Sequence, residues 1–256
     1  GVKSTSFLTL NHLDINKIHK NISKDAVRIT TFREIDSTND QCKRDQHDQK
    51  INVNIAHTQT NGRGRRGKSW LSKDYENIYM SISGLNIHKE KFPISLATGI
   101  ICQKAIKSLA NNIEVGLKWP NDIVLKNKKI GGILVEKEIL GSNVITIVGI
   151  GINMRLSKKE DWWGDLSEFK ELGRNDLINR ILIRFLDYLD KGFINPVKEW
   201  ENVCMHMNKE ILISQNNEIV DKGLFKGIDI DGSLILENND QTYKYQFGEV
   251  SIKGAY

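Results

Sequence analysis

The chain of 256 residues carries 37 Lys+Arg against 32 Asp+Glu, a formal net charge of +5, and three cysteines. That length is enough for one large domain plus a small one, and the mild basic excess admits an anionic ligand without requiring nucleic acid. No run approaches the roughly 18 apolar residues of a membrane span, no signal peptide opens the chain, and Cys42, Cys102 and Cys204 lack C-x-x-C spacing, so a cytoplasmic protein with reduced thiols is expected.

Residues 1–6 read as a disordered lead-in. Leu8, Leu10, Leu13, Ile15, Ile18 and Ile22 predict a short helix over 7–22, and alternation over 27–32 predicts a half-buried strand. Asp36-Ser37-Thr38-Asn39 supplies a cluster of helix N-caps. Strands are expected over 51–56 and 78–83, then a long helix over 95–109, where Leu96, Ile100, Ala105 and Leu109 lie near one face. Strand-like runs with tight connections follow at 115–119, 123–126, 130–139 and 144–153, which implies a largely antiparallel sheet. A second helix is expected from a cap at Asp176 to a stop at Gly192, and a third over 196–205. From about Asn208 the pattern changes to five short strands, 211–213, 218–220, 224–228, 234–236 and 243–245, with a hairpin turn at Asp231-Gly232. The fold class is therefore α+β, a mixed and largely antiparallel sheet with helices over 1–207, followed by a small β-barrel over 208–256.

The densest chemistry lies at Gly62-Arg63-Gly64-Arg65-Arg66-Gly67-Lys68-Ser69-Trp70. Three glycines free the backbone, four cations stand without an acid, and an indole closes the run, a mixture suited to a loop that closes on an anion. The stretch satisfies both G-x-G-x-x-G and G-x-x-x-x-G-K-S. Each of those patterns needs a helix directly after the loop, because the helix N-terminus carries the phosphate. Residues 71–77 have no helical face, and no acid follows about twenty residues on to hold a ribose, so both nucleotide fingerprints are set aside.

No Ser-His-Asp or Cys-His set is present, and the six histidines sit in no catalytic motif. In Lys118-Trp119-Pro120-Asn121-Asp122 the proline fixes a turn, from which Asn121 offers an amide to an adenine-type edge and Asp122 offers an oxygen ligand to Mg2+. The same corner reads equally as an Asx turn. Lys129 precedes the Gly131-Gly132 pair at a strand start, and Gly149-Ile150-Gly151-Ile152-Asn153 leaves one sheet face bare, where either a ligand or a packed helix fits.

Together these motifs, from Asp36-Ser37-Thr38-Asn39 and Gln59 through the 62–70 loop, 118–122, 129–136 and 149–153 to Gly227–Leu234 and Gly248–Ile252, resemble the biotin protein ligase (biotin–[acetyl-CoA-carboxylase] ligase) family in order along nearly the whole chain. The resemblance implies a catalytic domain of the biotin ligase, class II synthetase-like type followed by an SH3-like barrel. It implies biotin and ATP as substrates with Mg2+, biotinyl-5'-AMP as intermediate, and a lysine of a biotin carboxyl carrier protein as acceptor. Ser37, Thr38, Asn39 and Gln59 would hold the biotin ring, with Gly62, Gly132, Gly149 and Gly151 along it. Arg63, Arg65 and Lys129 would serve the reacting carboxylate and phosphate. Arg66, Trp70, Asn121 and Asn153 would meet the adenylate, and Asp122 the metal. Since the similar region begins near Phe7, no N-terminal DNA-binding domain is expected, while a homodimer is an assembly found in the family. Two other readings are weighed against this one. A lipoate- or octanoyl-transferring enzyme of the same fold is disfavoured by the Arg-rich loop and the C-terminal segment. A nucleic-acid-binding module is disfavoured by the balanced charge elsewhere.

Overall fold

The computed structural model describes residues 12–158 and 160–253; the lead-in at 1–6 and the first residues of the helix expected over 7–22 lie outside them. The first sheet comprises β1 (Val27–Ile35), β2 (Ile51–Gln59), β3 (Ile78–Leu85), β4 (Val115–Lys118), β5 (Asp122–Leu125), β6 (Lys128–Leu140) and β7 (Asn143–Ile152). Its order is β1-β2-β3-β7-β6-β5-β4. β1 and β2 pair in parallel and every other neighbour pairs antiparallel, so the mixed, largely antiparallel expectation holds. A parallel pair requires a crossover, and α2 (Thr38–Arg44) supplies it.

Helix α1 is shorter than expected, Ile15–Ile18, started by Asp14, whose carboxylate accepts from the amides of Asn16 and Lys17. Helix α3 (Ile94–Leu109) is buried along almost its whole length, because sheet strands and α4 (Arg174–Lys191) both pack on it. α4 begins after Gly173, which leaves Asp176 inside the first turn, where it favours the helix dipole rather than capping it. Gly192 does end α4, at φ +66. Helix α5 (Pro196–Glu201) stops short of the expected 205. The segment beyond it turns away to extend the sheet edge, its Val203 carbonyl accepting from Leu117 N–H at 2.8 Å and its Met205 N–H donating to the Leu117 carbonyl at 2.9 Å.

The second sheet contains β8 (Glu210–Gln215), β9 (Glu218–Ile228), β10 (Leu234–Asn238), β11 (Gln241–Tyr245) and β12 (Ser251–Lys253), antiparallel in the order β11-β10-β9-β8-β12. The runs at 218–220 and 224–228 are one strand, continuous through Gly223, where a Cβ would stand 2.4 Å from the Glu237 carbonyl oxygen. β12 is a strand that the residue pattern does not announce. The two sheets share one hydrophobic core: Trp200 of α5 lies 6.1 Å from Phe225 of β9, ring centre to ring centre. A hydrogen bond from Trp119 Nε1 to the Gly232 carbonyl, 2.9 Å, ties the corner after β4 to the β9–β10 turn.

Candidate active site

A cavity of about 770 Å3 opens between the N-terminus of α2, the faces of β6 and β7, the 62–70 loop, the corner after β4 and the edge of the second sheet. Its polar end starts at Ser37, the N-cap of α2, whose hydroxyl accepts from Asp40 N–H. Thr38 donates to Gln59 Oε1 from its amide at 2.9 Å and its hydroxyl at 3.2 Å, and Gln59 Nε2 donates to Ser72 at 2.9 Å. Ser81, fully buried on β3, donates to Thr38 Oγ1 and Asn39 Oδ1, while Asn39 Nδ2 donates to Glu136 at 2.8 Å. Each side chain thus fixes the next, which presents a rigid set of donors and acceptors.

The floor is bare where β6 and β7 run side by side. Gly132 pairs with Gly151, and a Cβ at Gly151 would stand 2.7 to 2.9 Å from three atoms of the Trp70 indole. A Cβ at Gly149 would stand 2.5 Å from Asn39 Oδ1. The missing side chains therefore admit two groups, the Asn39 amide and the Trp70 ring. The ring's Nε1–H is buried with no hydrogen-bond partner among the described residues.

The loop itself is a small hairpin. Trp70 N–H donates to the Gly62 carbonyl at 2.8 Å, Gly64 N–H to the Lys68 carbonyl at 2.7 Å, and Arg65–Gly67 make a single 3-10 turn. No helix N-terminus follows it, which confirms that neither nucleotide fingerprint applies. Its arginines diverge. Arg63 lies in a cluster of carboxylates, 2.9 and 3.0 Å from the two oxygens of Glu136 and 2.6 Å from Asp40, so it anchors the loop to β6 and α2. Arg65 has no carboxylate partner at hydrogen-bond range among the described residues; it donates to the Phe247 carbonyl and, at 3.4 Å, to Asn121 Oδ1. Burial and the neighbouring Arg66 lower its pKa, with Asp122 opposing. Arg66 donates to Ser251 Oγ at 3.1 Å.

Asp122 and Lys118 face each other across the β4–β5 pair, and Lys129 Nζ lies 2.8 Å from Asp122 Oδ1. Lys129 also stands 5.3 Å from the Trp70 ring centre, a cation over an aromatic face. Burial pushes the Lys118 ammonium down to about 8 against the pull of Asp122. Two lysines and Arg65 around one carboxylate leave this end positive, an arrangement that stabilises an incoming anion. Asn121 donates to the Ile133 carbonyl, and Asn153, buried, donates to the Gly164 carbonyl at 3.1 Å, holding the segment after β7 in place.

All the residues expected from the sequence line this cavity or its rim except Gly62, which pinches the base of the loop with Trp70 and Ser72 beside it. Several residues are added by the structure. Lys118 stands inside the expected corner motif and carried no role. Leu156, Trp162 and Trp163 wall one side; the adjacent tryptophans are the signal that marks them in the sequence. Ser214, Asn216, Asn217 and Lys253 come from the second sheet and its turns without a local mark, while Glu249 and Ser251 fall within the Gly248–Ile252 stretch noted in the sequence.

Residues 31–153 match the biotin/lipoate A/B protein ligase family and residues 206–253 the biotin protein ligase C terminal domain. The bifunctional ligase/repressor BirA of Salmonella typhimurium is 30% identical over 261 residues, 95% of this chain and 79% of that protein. The biotin--[acetyl-CoA-carboxylase] ligase of Mycobacterium tuberculosis is 26% identical over 220 residues, 77% of each chain. Among solved structures, the biotin protein ligase from Aquifex aeolicus in complex with biotin and ATP superposes with a TM-score of 0.71 at 23% identity, over 88% of this chain and 98% of that one, a likeness of fold. The chain belongs to the biotin protein ligase family.

Proposed function

We infer that the protein is an ATP-dependent biotin–protein ligase. The observation that carries this reading is the single cavity with a rigid polar end at Ser37, Thr38 and Gln59, a glycine floor under an indole, and a cationic end at Arg65, Lys118 and Lys129. A fused bicycle with a polar ureido ring, an apolar sulfur-containing ring and an acidic tail suits those three parts. In the first step a biotin carboxylate oxygen attacks the α-phosphorus of ATP, the bond to the bridging oxygen breaks, and pyrophosphate leaves. In the second, an acceptor lysine amine attacks the acyl carbon and AMP leaves. Neither step requires a nucleophile from this chain itself, in keeping with a cavity lined by cations and amides.

Lys129 and Arg65 are assigned to the meeting of the two anions, where cations offset repulsion and the charge growing on phosphorus. Trp70 is assigned to the ring faces of the adenylate and Asn121 to the adenine edge. Arg63, held by Glu136 and Asp40, supports the loop from below, and Asn153 the opposite wall. For Mg2+ the donor set is spare: among the described residues no three His, Cys, Asp or Glu side chains gather. One carboxylate, Asp122, beside a phosphate site fits that ion, which takes most of its oxygens from phosphates and water. When bound, it supplies neutralisation of phosphate charge. The acceptor is assigned as a biotin carboxyl carrier domain of acetyl-CoA carboxylase.

The test is ATP–pyrophosphate exchange. Exchange that depends on biotin supports the reading; exchange with lipoate but not biotin would replace it with lipoyl transfer. Arg65→Ala and Lys129→Ala are each expected to slow adenylate formation about a hundredfold, roughly 3 kcal/mol of transition-state stabilisation.

A further inference from the structure

Beneath the polar end of the cavity a line of hydrogen bonds runs from a charge cluster to the Thr38 hydroxyl, and the supply of protons gives each bond a direction. Glu136 accepts from Arg63 at 2.9 and 3.0 Å and from Lys43 at 3.0 Å, and two cations keep such a carboxylate ionised, with acceptors alone to offer. Asn39 must therefore turn Nδ2 towards it, at 2.8 Å, and Oδ1 towards Ser81 Oγ, 2.5 Å away. An amide oxygen has no proton to give, so the single proton of Ser81 lies on that bond. Thr38 Oγ1 stands 2.7 Å from the same Ser81 oxygen. Two hydroxyl oxygens this close need a proton between them, and that of Thr38 is the one left. Its other neighbour, Gln59 Oε1, is farther at 3.2 Å and already accepts the Thr38 amide. Thr38, Asn39 and Ser81 are all buried, so the protein and not the solvent sets these directions.

We propose that Ser81 is a positioning residue that sets the polarity of this pocket: it draws the Thr38 proton into the protein, so that Thr38 Oγ1 faces the ligand as an acceptor and selects an N–H group there. Thr38 lines the cavity, and with its proton spent it has lone pairs to offer. A cyclic urea carries ring N–H groups that complete such a site. A dithiolane carries none, and would leave the buried oxygen unpaired. Ser81 pairs with Gly149 of β7, whose missing side chain lets Asn39 Oδ1 descend to the serine. Ser81 is not part of the cavity lining and acts through Thr38. The identity of the ligand rests on the biotin ligase reading, whereas the proton directions rest on the hydrogen-bond geometry.

Neutron diffraction from the whole protein in heavy water reads the directions without a ligand. The expected map has the Ser81 deuteron aimed at Asn39 Oδ1 and the Thr38 deuteron aimed at Ser81 Oγ. A Thr38 deuteron aimed into the cavity or at Gln59 would overturn the proposal. Titration calorimetry reads the consequence, comparing biotin with two cyclic carbamates in which one or the other ring N–H is replaced by oxygen. The isomer that sets its oxygen against Thr38 is expected to bind roughly fiftyfold more weakly than biotin, the effect of facing one buried acceptor with another. In Ser81→Ala the Thr38 hydroxyl is free to turn and donate, so that ratio drops below about tenfold while the ratio for the other isomer holds. In a Thr38→Val background Ser81→Ala changes neither ratio, because the serine acts through that hydroxyl. An undiminished ratio in Ser81→Ala, equal changes for both isomers, or a further change on top of Thr38→Val would each sink it. Absence of biotin binding by the unaltered protein would overturn the functional reading alone, and the neutron map would still decide the proton directions.

Discussion

Gly149 and Gly151 stand two residues apart on one face of β7, yet a methyl group at each is expected to act differently. At Gly151 the added carbon would sit 2.7, 2.8 and 2.9 Å from Trp70 ring atoms. Trp70 belongs to a surface hairpin, so the ring can lift, and global stability should fall by less than about 1 kcal/mol. The raised floor and displaced ring then act on the ligand. An overpacking penalty of about 1–3 kcal/mol converts to biotin binding weaker by roughly 5- to 150-fold. At Gly149 the carbon would sit 2.5 Å from Asn39 Oδ1. Asn39 is held by Ser81 and Glu136 and is buried, so it has nowhere to retreat. Gly149→Ala should therefore cost about 2–3 kcal/mol in unfolding free energy as well as binding. Denaturant melts and titration calorimetry with biotin separate the two effects. Gly151→Ala with full biotin affinity, or equal destabilisation by both alanines, would refute the assignment of Trp70 as the movable wall and Asn39 as the fixed one.

Glu136→Gln should destabilise the protein by about 2 kcal/mol at neutral pH, because Arg63, Lys43 and Asn39 all lose a charged acceptor. Burial raises the Glu136 pKa, but hydrogen bonds from Arg63, Asn39 and Lys43 outweigh it and leave it below the ordinary 4.5. Its contribution is thus present above pH 4.5 and fades as the pH falls through the folded value, so the two proteins should converge in acid melts; a constant gap would count against the network. His206, pushed down to about 3 by burial, then by Lys118 and Lys209, stays neutral in the fold. The unfolded chain takes up a proton below pH 6.5 that the fold refuses, so stability should drop by about 1.4 kcal/mol per pH unit from this residue between pH 6 and 4. His206→Gln should remove that part of the slope in calorimetry.

What was legible in the sequence follows from locality. The N-cap at Ser37 and the turn at Gly192 are decided by a few neighbouring residues, and both stand where expected. The glycine-alternating strand at 149–153 also announced its bare face. Legibility fails where a distant element decides. Residues 203–205 leave the helical path because the edge of β4 offers backbone partners. Arg63 reads as one more cation of the loop, and only the fold brings Asp40 and Glu136 around it. Ser81 is an ordinary strand serine until β3 lies beneath α2. Of the C-terminal wall only the Gly248–Ile252 stretch is marked in the sequence; Ser214, Asn216, Asn217 and Lys253 acquire meaning only by lying opposite the loop.

The cavity's lining runs from Ser37 to Lys253. A chain made from its N-terminus at several residues per second can pair its first seven strands early, but the last wall is added only after residue 253 has been made and β12 has closed on β8. The polar pocket under α2 is built from residues no later than Glu136, whereas the cationic end is enclosed only by residues up to Lys253. Adenylating competence, with its reactive product, is a late acquisition of synthesis. A ribosome-stalled chain ending before β12 would hold the residues of the polar end and lack the wall that lies opposite the loop.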